Sequence, residues 1–403
     1  MKNNEHQIGI KMPSLPFSAP EYKRRLNGVR DALEQKNLDA LISSIHWNLN
    51  YLTGLSLTPN HYKVVLVPRE GDLVGVVREL EVPGAKATSL VENWVPWLDS
   101  GDPTYMSHNP VKATVKALKE LNLDGKRVGI ETGIARFFNH MTIRHYELLK
   151  KEMSKTEFVD DENIVMNLRI IKSEAEIECM KRAAVVTERT ALEAIRHIRP
   201  GVSQAEAYAA AAERAWSHDE CNDVRLYLQA GRASTLIHVR GLGSSNIIRP
   251  RDVIFMELGT AVNYYFNTRI RCISVGEPSS TIKKIDAAVL SGLNKAIDFI
   301  KPGVTSAEVD HVCRSEIAKA GYGELLKHRL AYSLGLGWNE GEVLSLRAGD
   351  QTMIRPGMVF HMVPGIWSPE LGFGLSYSEN ILVTEDGSEC IDAGILERKL
   401  YIK

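Results

Sequence analysis

Apolar and polar positions follow one rhythm up to about residue 170 and another beyond it. In the first stretch Leu26, Val29 and Leu33 follow Tyr22 at helical spacing among charges, which predicts an amphipathic helix ending near Asn37. Short apolar runs at 40–44, 64–67, 73–77 and 128–131, with a helical pattern at 111–121, predict a small α/β domain over residues 1–166. Turn chemistry crowds at 81–84 and 101–103. In the second stretch, residues 167–403, Ser173 with Glu176 forms a capping box, and Ile177, Met180, Ala184 and Ile195 continue a long helix that stops at Pro200-Gly201. Ser203 and Glu206 cap another. Two strands are predicted further on, near 253–258 and 266–275. The first is an apolar run with one carboxylate, Glu257, at a place where a carboxylate is costly unless paired, hydrogen-bonded or used. The second carries Thr268, Arg269 and Arg271.

The pattern then repeats. Ile198-Arg-Pro-Gly-Val-Ser returns as Ile300-Lys-Pro-Gly-Val-Thr, and Ile248-Arg-Pro returns as Ile354-Arg-Pro. Helix start matches helix start and strand start matches strand start, so a helix-plus-strands unit is duplicated about a pseudo-twofold axis. The repeat sets Glu257 against Val363 and Thr268 against Glu379, and predicts a site on the axis lined by these four residues.

Composition narrows the function classes. The 403 residues are 44% hydrophobic, enough for a sizeable core, and 49 basic residues nearly cancel 50 acidic ones. No long run of one sign suggests a nucleic-acid or membrane-surface partner, no apolar stretch reaches the length of a membrane span, and the N-terminus lacks the apolar core of a signal peptide. The five cysteines are odd in number and scattered without a C-x-x-C pair, which points to a reducing cytoplasm.

Five motifs then carry a resemblance. They are N-L-R-x-I-K-S-x-x-E-I at 167–177, the strand pair around Glu257, A-Y-S-L-G-L at 331–336, R-P-G-M-V-F at 355–360 and E-N-I-L-V-T-E-D-G at 379–387. Together they resemble the pita-bread fold of methionine aminopeptidase, prolidase, Xaa-Pro aminopeptidase, creatinase and ectoine hydrolase. N-x-x-Y-L-T-G at 48–54 resembles the amino-terminal domain of the prolidase and creatinase branch. The resemblance implies a creatinase-type α/β domain followed by a pita-bread catalytic domain. The peptidases of this fold hold two metal ions with two Asp, one His and two Glu, because divalent ions of this kind need several carboxylate oxygens. At the matching positions this chain has Glu257, Thr268, Tyr332, Val363 and Glu379, so the resemblance implies no catalytic metal and no cofactor.

The metal-free members are more similar. Creatinase and ectoine hydrolase cleave carbon–nitrogen bonds in small amidine-containing molecules, and His238 falls where creatinase has its catalytic histidine. Creatinase has a glutamate just before the arginine that matches Arg271, where this chain has Ile270; the segment 355–367 is nearer to ectoine hydrolases. The expected chemistry follows: Glu257 attacks the substrate carbon or activates water, His238 shuttles the proton, and Glu379 pairs with the amidinium charge. Tyr332, Thr268, Arg271 and Val363 are expected to line the substrate pocket. The relatives are homodimers, which implies a homodimer here, and Trp47, Tyr51 and Tyr62 are candidates to cover a neighbouring subunit's site or to fill their own core. A metal-dependent Xaa-Pro peptidase, a non-catalytic binding protein and a lyase acting on a small zwitterion are the competing readings.

Overall fold

The computed structural model describes residues 15–99, 105–132, 139–237, 239, 246–340 and 343–403. The chain forms two compact units, Met1–Leu168 and Arg169–Lys403. In the first, α1 (Ala19–Gln35) buries the stripe Tyr22, Val29 and Leu33 that its spacing predicts. Six strands, β1 (Ala40–Ser43), β2 (Val64–Pro68), β3 (Val74–Arg78), β4 (Asn93–Trp97), β5 (Arg127–Ile130) and β6 (Glu157–Asp160), form one mixed sheet in the order β4-β3-β2-β1-β5-β6. Helices α2 (His46–Thr53), α3 (Val82–Thr88), α4 (Tyr105–Glu120) and α5 (Ile143–Glu152) connect the strands, and α6 (Ile164–Arg169) leads the chain out. Helix α2 escapes pattern reading because every residue except Trp47 is buried, so it has no polar stripe to mark its period. Tyr51 and Tyr62 belong to this unit's interior: the Arg25 guanidinium stacks 4.3 Å from the Tyr51 ring, and Tyr62 shares a 2.9 Å hydrogen bond with Thr114. Their bulk is spent on their own core.

The second unit begins with α7 (Glu174–His197) and α8 (Gln204–Trp216), both opened by capping boxes, at Ser173/Glu176 and Ser203/Glu206. Strands β7 (Cys221–Ala230), β8 (Val253–Val262) and β9 (Tyr265–Ser274) follow as an antiparallel sheet. Next come α9 (Ser280–Phe299), α10 (Ser306–Lys319) and the strands β10 (Ala331–Gly335), β11 (Trp338–Asn339), β12 (Ser345–Leu346) and β13 (Val359–Met362). A hairpin of β14 (Gly365–Ser368) and β15 (Phe373–Ser376) precedes β16 (Glu379–Val383) and β17 (Ser388–Cys390), and β18 (Tyr401–Ile402) adds parallel to β9. The second sheet runs β11-β10-β13-β16-β17. It meets the first at the Tyr265–Leu336 bridge and where Ile270 N–H donates to Ser378 Oγ at 2.7 Å.

The repeat is realised bond for bond. Gly201 N–H donates to Ile248 O at 2.9 Å, and Gly303 N–H donates to Ile354 O at 3.1 Å; the return bonds, Ile248 to Val202 and Ile354 to Val304, are 2.9 and 2.8 Å. Both glycines sit at positive φ, 88° and 87°, where other residues are strained, so the Pro-Gly of each copy turns the chain from helix to helix in the same way. The Thr305/Glu308 capping box repeats that of Ser203/Glu206. Among the described residues no helix is long and apolar enough to cross a membrane, and all five cysteines carry free thiols.

Two buried ion clusters brace this unit. Arg169 and Lys172, from the N-L-R-x-I-K-S motif, hold Glu340 at 3.1 and 2.5 Å, which explains the motif as an anchor for the segment after β10. Glu188 of α7 accepts from Arg269 at 3.1 Å and from the N–H groups of Ala393, Ile395 and Leu396 at 2.7–3.0 Å, strapping the C-terminal segment to β9. Breaking a buried pair leaves its partner charge uncompensated, which costs about 3–5 kcal/mol. Glu188→Gln is therefore expected to destabilise the protein by roughly that amount, read from the urea unfolding midpoint.

Candidate active site

Side chains alternate along a strand, so the register of β7, β8 and β9 sorts them onto two faces. One face carries Leu226, Leu228, Ile254, Met256, Leu258 and Ile273, which pack on α7 and α8 as apolar core. The other carries Arg225, Tyr227 and Gln229 from β7, Phe255, Glu257 and Gly259 from β8, and Thr268, Ile270 and Cys272 from β9. Glu257 lies between Tyr227 and Ile270, only 6% exposed. No hydrogen bond or ion pair reaches it among the described residues, and burial alone pushes its pKa up to about 7. At Gly259 an added Cβ would lie 2.4 Å from Thr268 Cγ2 and 2.5 Å from the Trp338 ring, so a glycine is needed for these side chains to close over the strand.

The second sheet covers this face. Tyr332, His361 and Asn380 lie in one row across β10, β13 and β16. The Tyr332 ring meets His361 edge-on at 5.4 Å, and His361 Nδ1 lies 2.9 Å from both Thr268 Oγ1 and Asn380 Oδ1. Trp367 of β14 packs edge-on against Phe255 at 5.9 Å, and Val363 is buried just past β13, its N–H bonded to Leu330 O at 2.7 Å. His361, Asn380 and Trp367 were not among the residues the sequence brought forward. His361 carries the same signal as Glu257, a polar residue inside the apolar run V-F-H-M-V.

Arg271 pairs with Met256 in the register and therefore leaves β9 on the side opposite Glu257. Its guanidinium and ε-nitrogen bond Glu379 at 2.9 Å and the carbonyls of Ile270, Ser378, Leu396 and Glu397. Glu379 also accepts from Arg398 at 2.8 Å and lies 4.0 Å from Arg269. Burial by itself would raise the Glu379 pKa, but Arg271, Arg269 and Arg398 outweigh it and hold the carboxyl below its ordinary range. This corrects two expectations. Glu379 is the anion of an internal arginine cluster, not a spare charge for a substrate, and Arg271 has its donors committed to the protein. No contact among the described residues joins Glu379 to Glu257, so the carboxylate pair inferred from the repeat is not formed. Thr268 is brought to the site, with its oxygen turned to His361. His238 lies outside the described residues.

A model described as metallopeptidase family M24 matches residues 178–385, and one described as the creatinase/prolidase N-terminal domain matches residues 25–171. The chain belongs to metallopeptidase family M24. It joins a creatinase N-terminal domain to a C-terminal pita-bread domain, in a family of hydrolases. Among M24 relatives, an uncharacterized hydrolase/peptidase of Sinorhizobium fredii is 30% identical over 95% of this chain and 97% of its own. The ectoine hydrolase of Halomonas elongata is 27% identical over 97% of this chain and 99% of its own. The prolidase structure from Pyrococcus horikoshii OT3 is also 27% identical, with a TM-score of 0.78 over 94% of this chain and 99% of that one. Overall similarity does not separate these two activities, so the residues of the site must.

The donor set does not fit the two-metal centre that an M24 metallopeptidase implies. Val363 has no side-chain donor atom, the Thr268 oxygen faces an imidazole nitrogen, and Glu379 Oε1 is held by two guanidinium groups while Oε2 lies 4.0 Å from a third. Glu379, Cys390 and Asp392 bring one donor atom each within 4.8 Å of one another, but Arg269 pairs with Asp392 and Arg398 reaches Cys390 Sγ at 3.7 Å, so positive charge already fills that corner. Glu379→Gln is expected to lower folding stability by about 3–5 kcal/mol, because it strands buried guanidinium charge. A thermal midpoint that stays within a degree of wild type would return Glu379 to the list of free site carboxylates.

Proposed function

We propose that this chain is a metal-independent hydrolase that cleaves a C–N bond in a small amidine- or amide-bearing zwitterion, in the manner of ectoine hydrolase. The observation that carries the reading is Glu257, a carboxylate buried in an apolar strand without a cation among the described residues. An amidinium group provides the counter-charge that the protein withholds, and beside it the desolvated carboxylate ionises as a strong base or nucleophile. Ile270, directly across from Glu257, favours ectoine hydrolase over creatinase, because an apolar side chain stands where creatinase has a second acid.

In this reading Glu257 takes a proton from water, and the hydroxide adds to the amidinium carbon. The adduct then expels an amine, which leaves protonated, with His238 as the proposed proton shuttle. One C–O bond forms, one C–N bond breaks, and water is consumed. Direct attack by Glu257, followed by hydrolysis of the adduct, gives the same products.

The test is turnover of ectoine, creatine and Xaa-Pro dipeptides by the purified protein, with and without EDTA. Ectoine hydrolysis that survives chelation is expected. Dipeptide cleavage alone, abolished by EDTA, would replace this reading with a prolidase. Because the ionised form of Glu257 is the reactive one, kcat/KM is expected to rise with pH through about 7.

Glu257→Gln is expected to remove turnover in a folded protein. The same variant reports on linkage: a carboxyl whose folded pKa lies above its unfolded value destabilises the fold as pH rises between the two. Wild type and variant should therefore be nearly equal in stability at pH 4.5, while at pH 8 the variant is more stable by roughly 2–3 kcal/mol. Parallel urea melts at the two pH values measure the difference.

A further inference from the structure

His361 is wholly buried, and the residues around it decide which of its nitrogens carries the proton. Asn267 Nδ2 donates to the backbone carbonyl of Ile391 at 3.2 Å, which makes Asn267 Oδ1 an acceptor. Asn380 Nδ2 donates to that oxygen at 2.9 Å and to Thr268 O at 3.0 Å, which turns Asn380 Oδ1 toward His361. Oδ1 can only accept, so His361 Nδ1, at 2.9 Å, must be the protonated nitrogen. The relay is anchored on two backbone carbonyls and cannot reverse without breaking both bonds. His361 Nε2 is therefore a bare lone pair, and among the described residues it has no hydrogen-bond partner.

We propose that His361 Nε2 is a substrate-binding acceptor, which takes an N–H from the amidinium or amide group held at Glu257. The inference rests on the reading given under Proposed function and adds a residue to it. His361 and Glu257 serve the same face of the β8–β9 hairpin, since the imidazole lies 2.9 Å from Thr268 Oγ1 of that face. Buried Gln229 Oε1, on the same face, is a second acceptor without a partner among the described residues. Trp367 Nε1, on the indole that packs against Phe255, is one buried donor likewise without a partner among the described residues, so with Glu257 the acceptors outnumber it and select a donor-rich ligand. The imidazole also stays neutral: burial, with Arg269, His328 and Arg271 nearby, outweighs the Asn380 bond and lowers its pKa to about 3, so Nε2 remains an acceptor at working pH. The geometry thus separates two tasks, with Glu257 acting on the carbon and His361 orienting the nitrogen.

Two measurements test this. In histidine-15N-labelled protein, His361 is expected to show the Nδ1–H tautomer from pH 5.5 to 8; a protonated Nε2 would overturn the assignment. The KM for ectoine, with kcat beside it, is then compared between the wild-type protein and His361→Asn. Asparagine keeps a donor near the Nδ1 position, and with it the bond to Asn380, but places no atom at Nε2. KM is expected to rise about 10- to 100-fold, the loss of one buried hydrogen bond. KM values within twofold of each other would refute the role of His361 while leaving the proposed function standing. Failure of the wild-type protein to turn over ectoine would refute both, because no N–H would then face Nε2.

Discussion

A carboxylate taken out of water must be neutralised, matched or left strained, and the second domain places one on each side of the β8–β9 hairpin. Glu379 is matched by Arg271 and Arg398, with Arg269 nearby, in a cluster that also ties the C-terminal segment to β9 through Glu188. Glu257 is matched by nothing among the described residues and stays near the midpoint of its titration at neutral pH. The two-residue alternation of the hairpin keeps these environments apart. Arginines at 269 and 271 point to one side, while Thr268, Ile270 and Glu257 point to the other. If the guanidinium groups shared a face with Glu257, they would hold it permanently ionised and of low basicity.

The duplicated architecture explains how such a site arises without symmetry in its chemistry. Each half delivers a helix pair, a Pro-Gly turn and strands, with matching hydrogen bonds at Gly201 and Gly303. The axis between the halves is thus a place where strands from both converge. What differs is the side chains: the first half contributes Glu257 and Thr268, and the second contributes Tyr332, His361 and Asn380. A dinuclear metal centre requires oxygen donors from both halves. Here the second half offers an imidazole, a phenol and an apolar side chain, and its one surviving acid is committed to arginines.

Much of this was legible in the sequence. The apolar periodicity located α1, α7 and the β8–β9 pair, the capping boxes marked the helix starts, and the repeated Ile-Arg-Pro and Pro-Gly segments revealed the duplication. Glu257 stood out because a charged residue within an apolar strand is a local signal. Helix α2, buried on nearly every side, had no such contrast and was missed.

The sequence by itself determined most of the elements and the duplicated fold, because these depend on local period and on spacing along the chain. Only the tertiary structure decided the partners. That Glu379 answers to Arg398, that Glu188 collects three N–H groups from residues 393–396, and that an asparagine relay fixes the His361 tautomer are contacts between segments up to about two hundred residues apart. Nothing in the spacing of residues encodes such distances. The charge state of a buried group is set by which dipoles and ions finally surround it, so the same residue type, glutamate, became a brace at 379 and a reactive group candidate at 257.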